Sequence, residues 1–450
     1  MAYTLRVGLR VTALDIFTTE FAPHRLGEIF NERIVHSHTV GKDGVHPSLF
    51  AQSLDVGLQR ISDRARAGSY NFTTFKQKLV LKGPDKAPRQ ISVATVRDRV
   101  ALRALTNVLM FVFPDARVPP AHYIVDEVAA LIAPLADDYS FIQIDIRNFY
   151  PTVRHDELLR RLRTRIRHKP LLNLIMQAVS TPTSATKESK ANTIGIPQGL
   201  SISNILSSIY MMKFDEFARS RFAYFRYVDD ILIVCPTADA KRNFRLIQRR
   251  LAQIGLECHR LEDKTKTKIV PLSQGVDYLG FHLAPKITSV RESSYRRIID
   301  KVMTVMTGVK FNANHAKILT RLNLKITGCI FDGRRMGWMF FFSMTDDLKQ
   351  LQRLDSFITK TWHRLGMNQF GTPKRFVKAY HEINFNLASS RYIPRFDEYS
   401  TDQKIDLIAT MMVIDRLVVA NWAIERINRK FFQLIRKEVA ELEKDITPLS

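Results

Sequence analysis

Cysteine is scarce in this chain: Cys235, Cys258 and Cys329 are the three in 450 residues, with no C-x-x-C spacing among them. That excludes a disulfide framework and a cysteine-based zinc module, and it fits buried apolar thiols in a reducing cytosol. Long hydrophobic runs are missing as well. No stretch approaches the ~20 uninterrupted apolar residues of a spanning helix. The first residues, MAYTLRVGLRVTALDIF, lack the layout of a signal peptide. A cytoplasmic protein with no membrane partner is the expectation. There is no GxxxxGK(S/T) loop and no GxGxxG after a strand, which excludes the P-loop and dinucleotide-binding classes. Internal repeats and low-complexity tracts are absent too. Acidic charge is in deficit, with 44 Asp and Glu against 68 Lys and Arg, a net charge of +24 and a pI near 10.0. Such a surplus repels itself unless a polyanion neutralises it, and nucleic acid is the partner it favours.

What is present centres on Tyr227-Val228-Asp229-Asp230, inside FAYFRYVDDILIVC. Aromatic and β-branched residues on both sides predict two short strands meeting at a hairpin. Adjacent carboxylates between apolar strands repel each other and resist burial, a cost that a hard divalent cation offsets. An ordinary acidic turn would look the same in isolation, so the rest of the chain has to decide. Upstream, SFIQIDIRNFYPTV is an apolar strand interrupted by one acid, Asp145, and closed by Pro151. Placed as neighbours in one antiparallel sheet, the two segments would bring three carboxylates together.

Other stretches read more plainly. Residues 1–40 look mainly helical. FKQKLVLKGPDKAPRQISV alternates apolar and basic residues about a Gly-Pro-Asp turn and predicts a basic hairpin carrying Lys76, Lys78, Lys82, Lys86 and Arg89. A solvated face and a ribbon that grips phosphate are equal readings of it. GIPQGLSISNILSSIYMMKFDEFARS opens on a turn and becomes a Ser-rich helix, and VDYLGFHL reads as a short strand. Residues 286–370 are helical and basic, with MGWMFFFSM as a buried aromatic patch. GTPKR at 371–375 reads as a linker, and the tail beyond it as an accessory helical segment with a basic stripe (Arg426, Arg429, Lys430, Arg436, Lys437).

Taken in order, these segments resemble a reverse transcriptase of the bacterial and group II intron branch. The resemblance implies an α+β right-hand polymerase. Fingers and palm, with an antiparallel sheet, would occupy 41–285 after an N-terminal extension at 1–40; a helical thumb at 286–370 and a helical segment at 371–450 would follow. FIQIDIRNFY resembles the first carboxylate motif, which makes Asp145 a metal ligand and Tyr150 a steric gate beneath the sugar. GIPQGLSIS resembles the Pro-Gln-Gly motif and places Gln198 and Gly199 beside the nascent base pair. YVDD resembles the metal-binding hairpin, with Asp229 and Asp230 as ligands. DKTKTKIV resembles the lysine-bearing strand in two registers: Lys266 is the preferred lysine on the triphosphate side and Lys264 the alternative. GKDGV and KAPRQISVATVRDRV resemble fingers motifs, which put Arg89 and Lys82 near the incoming triphosphate, and DYLGF resembles the primer grip.

The same resemblance implies two Mg²⁺ ions, with Mn²⁺ as a substitute, and an RNA template, deoxynucleoside triphosphates and a cDNA product as partners. It leaves a homo-oligomer open. No endonuclease, zinc-ribbon or RNase H module follows the thumb-like stretch, and RMGWMFFFSM is most similar to stand-alone bacterial enzymes of phage defence, some of which copy a dedicated non-coding RNA. A template-independent, protein-primed polymerase and a maturase-like RNA-binding protein are the alternatives.

Overall fold

β-Branched and aromatic runs form short strands in this protein, and helices with one apolar face cover them. The computed structural model describes residues 11–37, 39–81, 87–186, 190–261, 266–308 and 314–446. They form a mixed α+β chain that divides into two compact units, Met1–Pro119 with Ile142–Ile269, and Pro120–Phe141 with Val270–Ser450.

The first unit uses strands β1 (Phe75–Val80), β2 (Arg89–Val93), β3 (Tyr139–Asp145), β4 (Thr183–Ser184), β5 (Ala223–Tyr227), β6 (Asp230–Pro236) and β7 (Lys268–Pro271). The unit boundaries fall inside β3 and β7. One sheet runs β2-β1-β4, and its antiparallel β1–β2 pair is the expected basic hairpin. The other runs β5-β6-β3-β7. β6 reads ILIVC across its buried centre, the continuous apolar run of a strand covered on both faces. Helix Val96–Val112 packs on helix Ser203–Arg219, which lies against β5. Thr95 caps the first of them, its hydroxyl accepting from the Asp98 amide at 3.2 Å. Phe17 and Phe30, from helices Ala13–Glu20 and Pro23–Arg33, and Phe21 between them share one core with Val100, Leu105, Ile144, Leu206 and Ile233. Residues 11–37 are therefore built into this unit, whereas the sequence reading set 1–40 apart as an extension. The apolar faces of two short helices have no core of their own to bury against.

The second unit holds β8 (Val276–Tyr278), β9 (Phe281–Ala284) and β10 (Ile287–Val290) in an antiparallel meander, and a hairpin of β11 (Cys329–Phe331) and β12 (Arg334–Met336). VDYLGFHL is thus two strands rather than one, because Leu279 and Gly280 turn the chain with positive φ. Trp338, Met339 and Phe342 are buried, as the aromatic patch predicts. The expected linker is no linker. The Lys374 amide donates to Asn323 Oδ1 at 2.7 Å, and the Trp362 indole donates to the Gly371 carbonyl at 2.9 Å. Nor is the tail a separate accessory. Ile405, Ile427, Phe431, Ile435 and Leu442 pack in one core with Leu324, Cys329 and Phe331, so the boundary expected at 370 does not divide the packing.

Candidate active site

The hairpin of β5 and β6 pairs Tyr227 with Asp230, leaving Val228 and Asp229 as its two-residue turn. Val228 takes φ of 56°, an uncommon conformation for a β-branched residue and one that stores about 1–3 kcal/mol. A neighbouring arginine holds the turn in place. The Arg226 guanidinium donates to the Val228 carbonyl at 2.9 Å, and its Nε donates to Asp215 Oδ1 at 2.7 Å. Asp215 lies on helix Ser203–Arg219 and also accepts from the Tyr224 hydroxyl at 2.7 Å. Side-chain exposure is 6% for Arg226 and 7% for Asp215, so each charge depends on the other. Burial alone would lower the Arg226 pKa, and the adjacent Asp215 carboxylate outweighs it, holding the guanidinium above its ordinary value.

Asp145 closes β3, the sheet neighbour of β6. The next amide, Ile146 N–H, donates to the Asp229 carbonyl at 3.2 Å, so the backbone sets the Asp145 segment directly beside the acidic turn. Its other contacts are to the far side of the strand. The Asp145 amide donates to the buried Thr267 hydroxyl at 3.3 Å, and the His259 amide donates to the Asp145 carbonyl at 3.1 Å. The Asp145 carboxylate has Lys266 Nζ and His259 Nε2 each at 3.6 Å, and those two nitrogens are 3.0 Å apart.

Tyr150 lies in the short helix Phe149–Thr152, 9% exposed, with its hydroxyl donating to Asn204 Oδ1 at 2.7 Å. Burial first, opposed by the Ser207 hydroxyl and reinforced by the Asp229 charge, pushes its phenol up to about 12. Arg89 and Arg226 act on the same hydroxyl in the opposite sense, so Tyr150, Asp229 and Arg89 share one electrostatic neighbourhood. The Pro-Gln-Gly segment is stitched to both sides of it. The Ile196 amide donates to the Tyr150 carbonyl at 2.8 Å, and the Ser92 amide of β2 donates to the Gln198 carbonyl at 2.7 Å. Gly199 has φ of 93°, and a Cβ there would stand 2.6 Å from the Ile91 methyl, so only glycine fits. Arg89 begins β2, on the strand that this contact anchors.

The structure therefore gathers Asp145, Asp229, Asp230, Tyr150, Gln198, Gly199, Arg89 and Lys266 into one unit. Lys82 and the alternative Lys264 lie outside the described residues. Sequence reasoning missed Asp215, Arg226, His259 and Thr267. A signal for the first two was available, since an arginine inside the apolar run FAYFRYVDD requires a buried counter-charge.

Three carboxylates form an oxygen-only donor set suited to a hard divalent cation. Among the described residues, no three Asp, Glu, His or Cys side chains stand close enough to hold an ion as they are. The fit lies in donor chemistry and backbone register. An ion arriving at Asp145 would compete with Lys266 and His259 for the carboxylate.

A profile of the family described as "Reverse transcriptase (RNA-dependent DNA polymerase)" matches residues 80–283, a span that contains every candidate residue named above. Protein YkfC of Escherichia coli (strain K12) is 24% identical, over 56% of this chain and 77% of its own length. An uncharacterized 91 kDa protein in the cob intron of Schizosaccharomyces pombe is also 24% identical, over 41% of this chain. The match spans 23% of that larger protein. Among solved structures, telomerase from Candida albicans in complex with a fragment of telomeric RNA aligns at 14% identity and a TM-score of 0.42, over 89% of this chain and 68% of that one. A polymerase of this kind takes a nucleic-acid template and deoxynucleoside triphosphates, and no described helix is long and apolar enough to cross a membrane. Across residues 80–283 the chain carries a reverse transcriptase domain, an RNA-directed DNA polymerase.

Proposed function

We propose that this protein copies an RNA template into complementary DNA at a site where Asp145, Asp229 and Asp230 hold two Mg²⁺ ions, with Mn²⁺ as a substitute. The observation that carries the reading is the 3.2 Å hydrogen bond from the Ile146 amide to the Asp229 carbonyl, which joins two acid-bearing segments far apart in the chain. Polymerases of this family use divalent metals, and the ions supply Lewis acidity to the primer 3′-hydroxyl and the triphosphate when bound. In the step itself the 3′-hydroxyl gives up its proton to solvent, its oxygen bonds to the α-phosphorus, the α–β phosphoanhydride breaks, and pyrophosphate departs. The chain's own groups position the reactants. Lys266 and Arg89 neutralise charge on the triphosphate, Arg89 through its forked donors. Lys82 is assigned the same task on the family resemblance alone. Gln198 and Gly199 border the nascent base pair. Tyr150, its ring fixed by packing and by Asn204, crowds a ribose 2′-hydroxyl and so selects deoxynucleotides.

The finer reading is a cytoplasmic enzyme of antiphage defence whose template is a dedicated non-coding RNA, supported by the resemblance of the stretch RMGWMFFFSM to stand-alone enzymes of that group. A second reading, an RNA-binding protein that serves an intron, is favoured by the fission-yeast relative named for its place in one. Primer extension on an RNA template separates the two. The double substitution Asp229→Ala, Asp230→Ala should abolish DNA synthesis while a gel shift still detects RNA binding. Continued incorporation by that variant would overturn the site assignment, and an inactive parent protein that still binds RNA would favour the intron reading.

A further inference from the structure

Helix Ser203–Arg219 opens onto solvent at one place near its start. From Ile202 to Met211 every residue is buried except Asn204, which is exposed. Among the described residues the Asn204 side chain makes one hydrogen bond, in which its Oδ1 accepts from the Tyr150 hydroxyl at 2.7 Å. It caps no backbone amide, and its Nδ2 has no protein partner there. An amide carries an acceptor at one end and two donors at the other. Tyr150 takes the acceptor, so the donors are left over.

The groups around that amide are those already assigned to the substrate. The Ser203 hydroxyl donates to the Pro197 carbonyl at 2.6 Å, which pins the Pro-Gln-Gly segment to the first turn of the helix, one residue from Asn204. The Ser207 hydroxyl, one turn on, donates to the Asn204 carbonyl at 2.9 Å and also acts on the Tyr150 hydroxyl. Tyr150 and Ser207 are both buried, so Asn204 is the exposed member of the three. On an ordinary surface water would satisfy its donors. This surface lies between the sugar gate and the residues that border the nascent base pair.

A partner for Nδ2 has to be present on all four nucleotides, because a polymerase copies every base. It has to stand beside the sugar as well, because Asn204 is bonded to the residue that reads the sugar. The minor-groove edge meets both conditions, with N3 of a purine or O2 of a pyrimidine as an acceptor in every pair. We propose that Asn204 is a substrate-contacting residue whose Nδ2 donates to the minor-groove acceptor of the incoming nucleotide, while Tyr150 holds the other end of the amide. The proposal rests on the polymerase reading above and on the gate position of Tyr150. Such a contact is blind to base identity and responds to pairing geometry, since a mispair displaces the acceptor. One side chain thereby couples the choice of sugar to the check on pairing.

The test is primer extension by the full chain opposite a single templating uracil, with dATP and with 3-deaza-dATP, in which a C–H replaces N3 and the pairing edge is kept. The readout is the ratio of the two kcat/KM values, which a general loss of activity leaves alone. The parent should favour dATP roughly 3- to 10-fold, the worth of one hydrogen bond. Asn204→Leu should erase that preference and, by releasing the Tyr150 hydroxyl, raise ribonucleotide incorporation too. Asn204→Asp keeps an oxygen for the Tyr150 hydroxyl but has no donors. Its preference for dATP should vanish while its preference for deoxynucleotides over ribonucleotides is retained. A merely structural role would lower both substrates alike and leave the ratio where it stands.

Equal use of dATP and 3-deaza-dATP by the parent would overturn the proposal. So would a preference for dATP that survives both substitutions. A parent that extends no primer even with dATP is a different result: it sinks the polymerase reading, and this contact with it.

Discussion

Two hairpins in this protein look alike in sequence and differ in what holds them. Tyr227-Val228-Asp229-Asp230 and Tyr278-Leu279-Gly280-Phe281 both close two-residue turns, and both put a bulky apolar residue at positive φ, 56° for Val228 and 48° for Leu279. In the second turn glycine takes the next position at φ of 90°, where it costs no side-chain clash, and the Gly280 carbonyl accepts from the Arg291 amide at 3.0 Å. The first turn gives that position to an acid. The extra demand is met by Arg226, which grips the Val228 carbonyl while Asp215 and Tyr224 grip Arg226. Strain is retained where a carboxylate has to stand, and a buried ion pair keeps it there. The hairpin whose turn carries no acid needs no such clamp.

Breaking the clamp should give the largest effect. Asp215→Ala leaves the Arg226 charge buried and unpaired, and urea unfolding should show a loss of about 3–5 kcal/mol. A loss below about 1 kcal/mol would mean that the pair does not support the turn. Arg226→Met keeps the volume but releases the Val228 carbonyl. Single-turnover kinetics should then show kcat falling roughly 10- to 100-fold with KM for the nucleotide little changed, the signature of a misplaced catalytic group rather than a lost binding contact. Equal falls in kcat for Arg226→Met and for an Arg291 substitution at the other hairpin would erase the contrast between the two turns.

A smaller, chemical effect is expected at Tyr150. Tyr150→Val should raise ribonucleotide incorporation by about tenfold, a difference of about 1.4 kcal/mol, measured as the ratio of kcat/KM for ribo- and deoxynucleotides. Unchanged selectivity would remove the gate. The smallest change belongs to Val228→Gly. Relief of about 1–3 kcal/mol of strain offsets most of the roughly 1.5–3 kcal/mol lost with a buried valine side chain. Thermal unfolding should therefore place the variant within about 1 kcal/mol of the parent, and a loss above about 3 kcal/mol would show that the turn is not strained.

Much of the local structure was legible. Alternating apolar and basic residues announced the β1–β2 hairpin, and the YVDD turn fell where its flanking strands required. The misreadings have one cause. GTPKR resembles a linker because its residues favour turns, yet Asn323 and Trp362 bind it from distant helices. Residues 11–37 resemble an extension because their charges are scattered, yet Phe17, Phe21 and Phe30 complete another segment's core. Periodicity registers which face of an element is apolar and is silent about what covers it.

The sequence by itself determined the strands, the turns, the excess of positive charge and the identity of the acids, because backbone preference, side-chain period and composition are local properties. Only the tertiary structure decided that Asp145 lies beside the Asp229 turn, that Asp215 is the counter-charge of Arg226, and that Lys266 and His259 meet at Asp145. Each of those is a pairing between segments remote along the chain. It exists because sheet ladders and buried charges must find partners once water is excluded, and which partner is within reach is settled by how the elements stack.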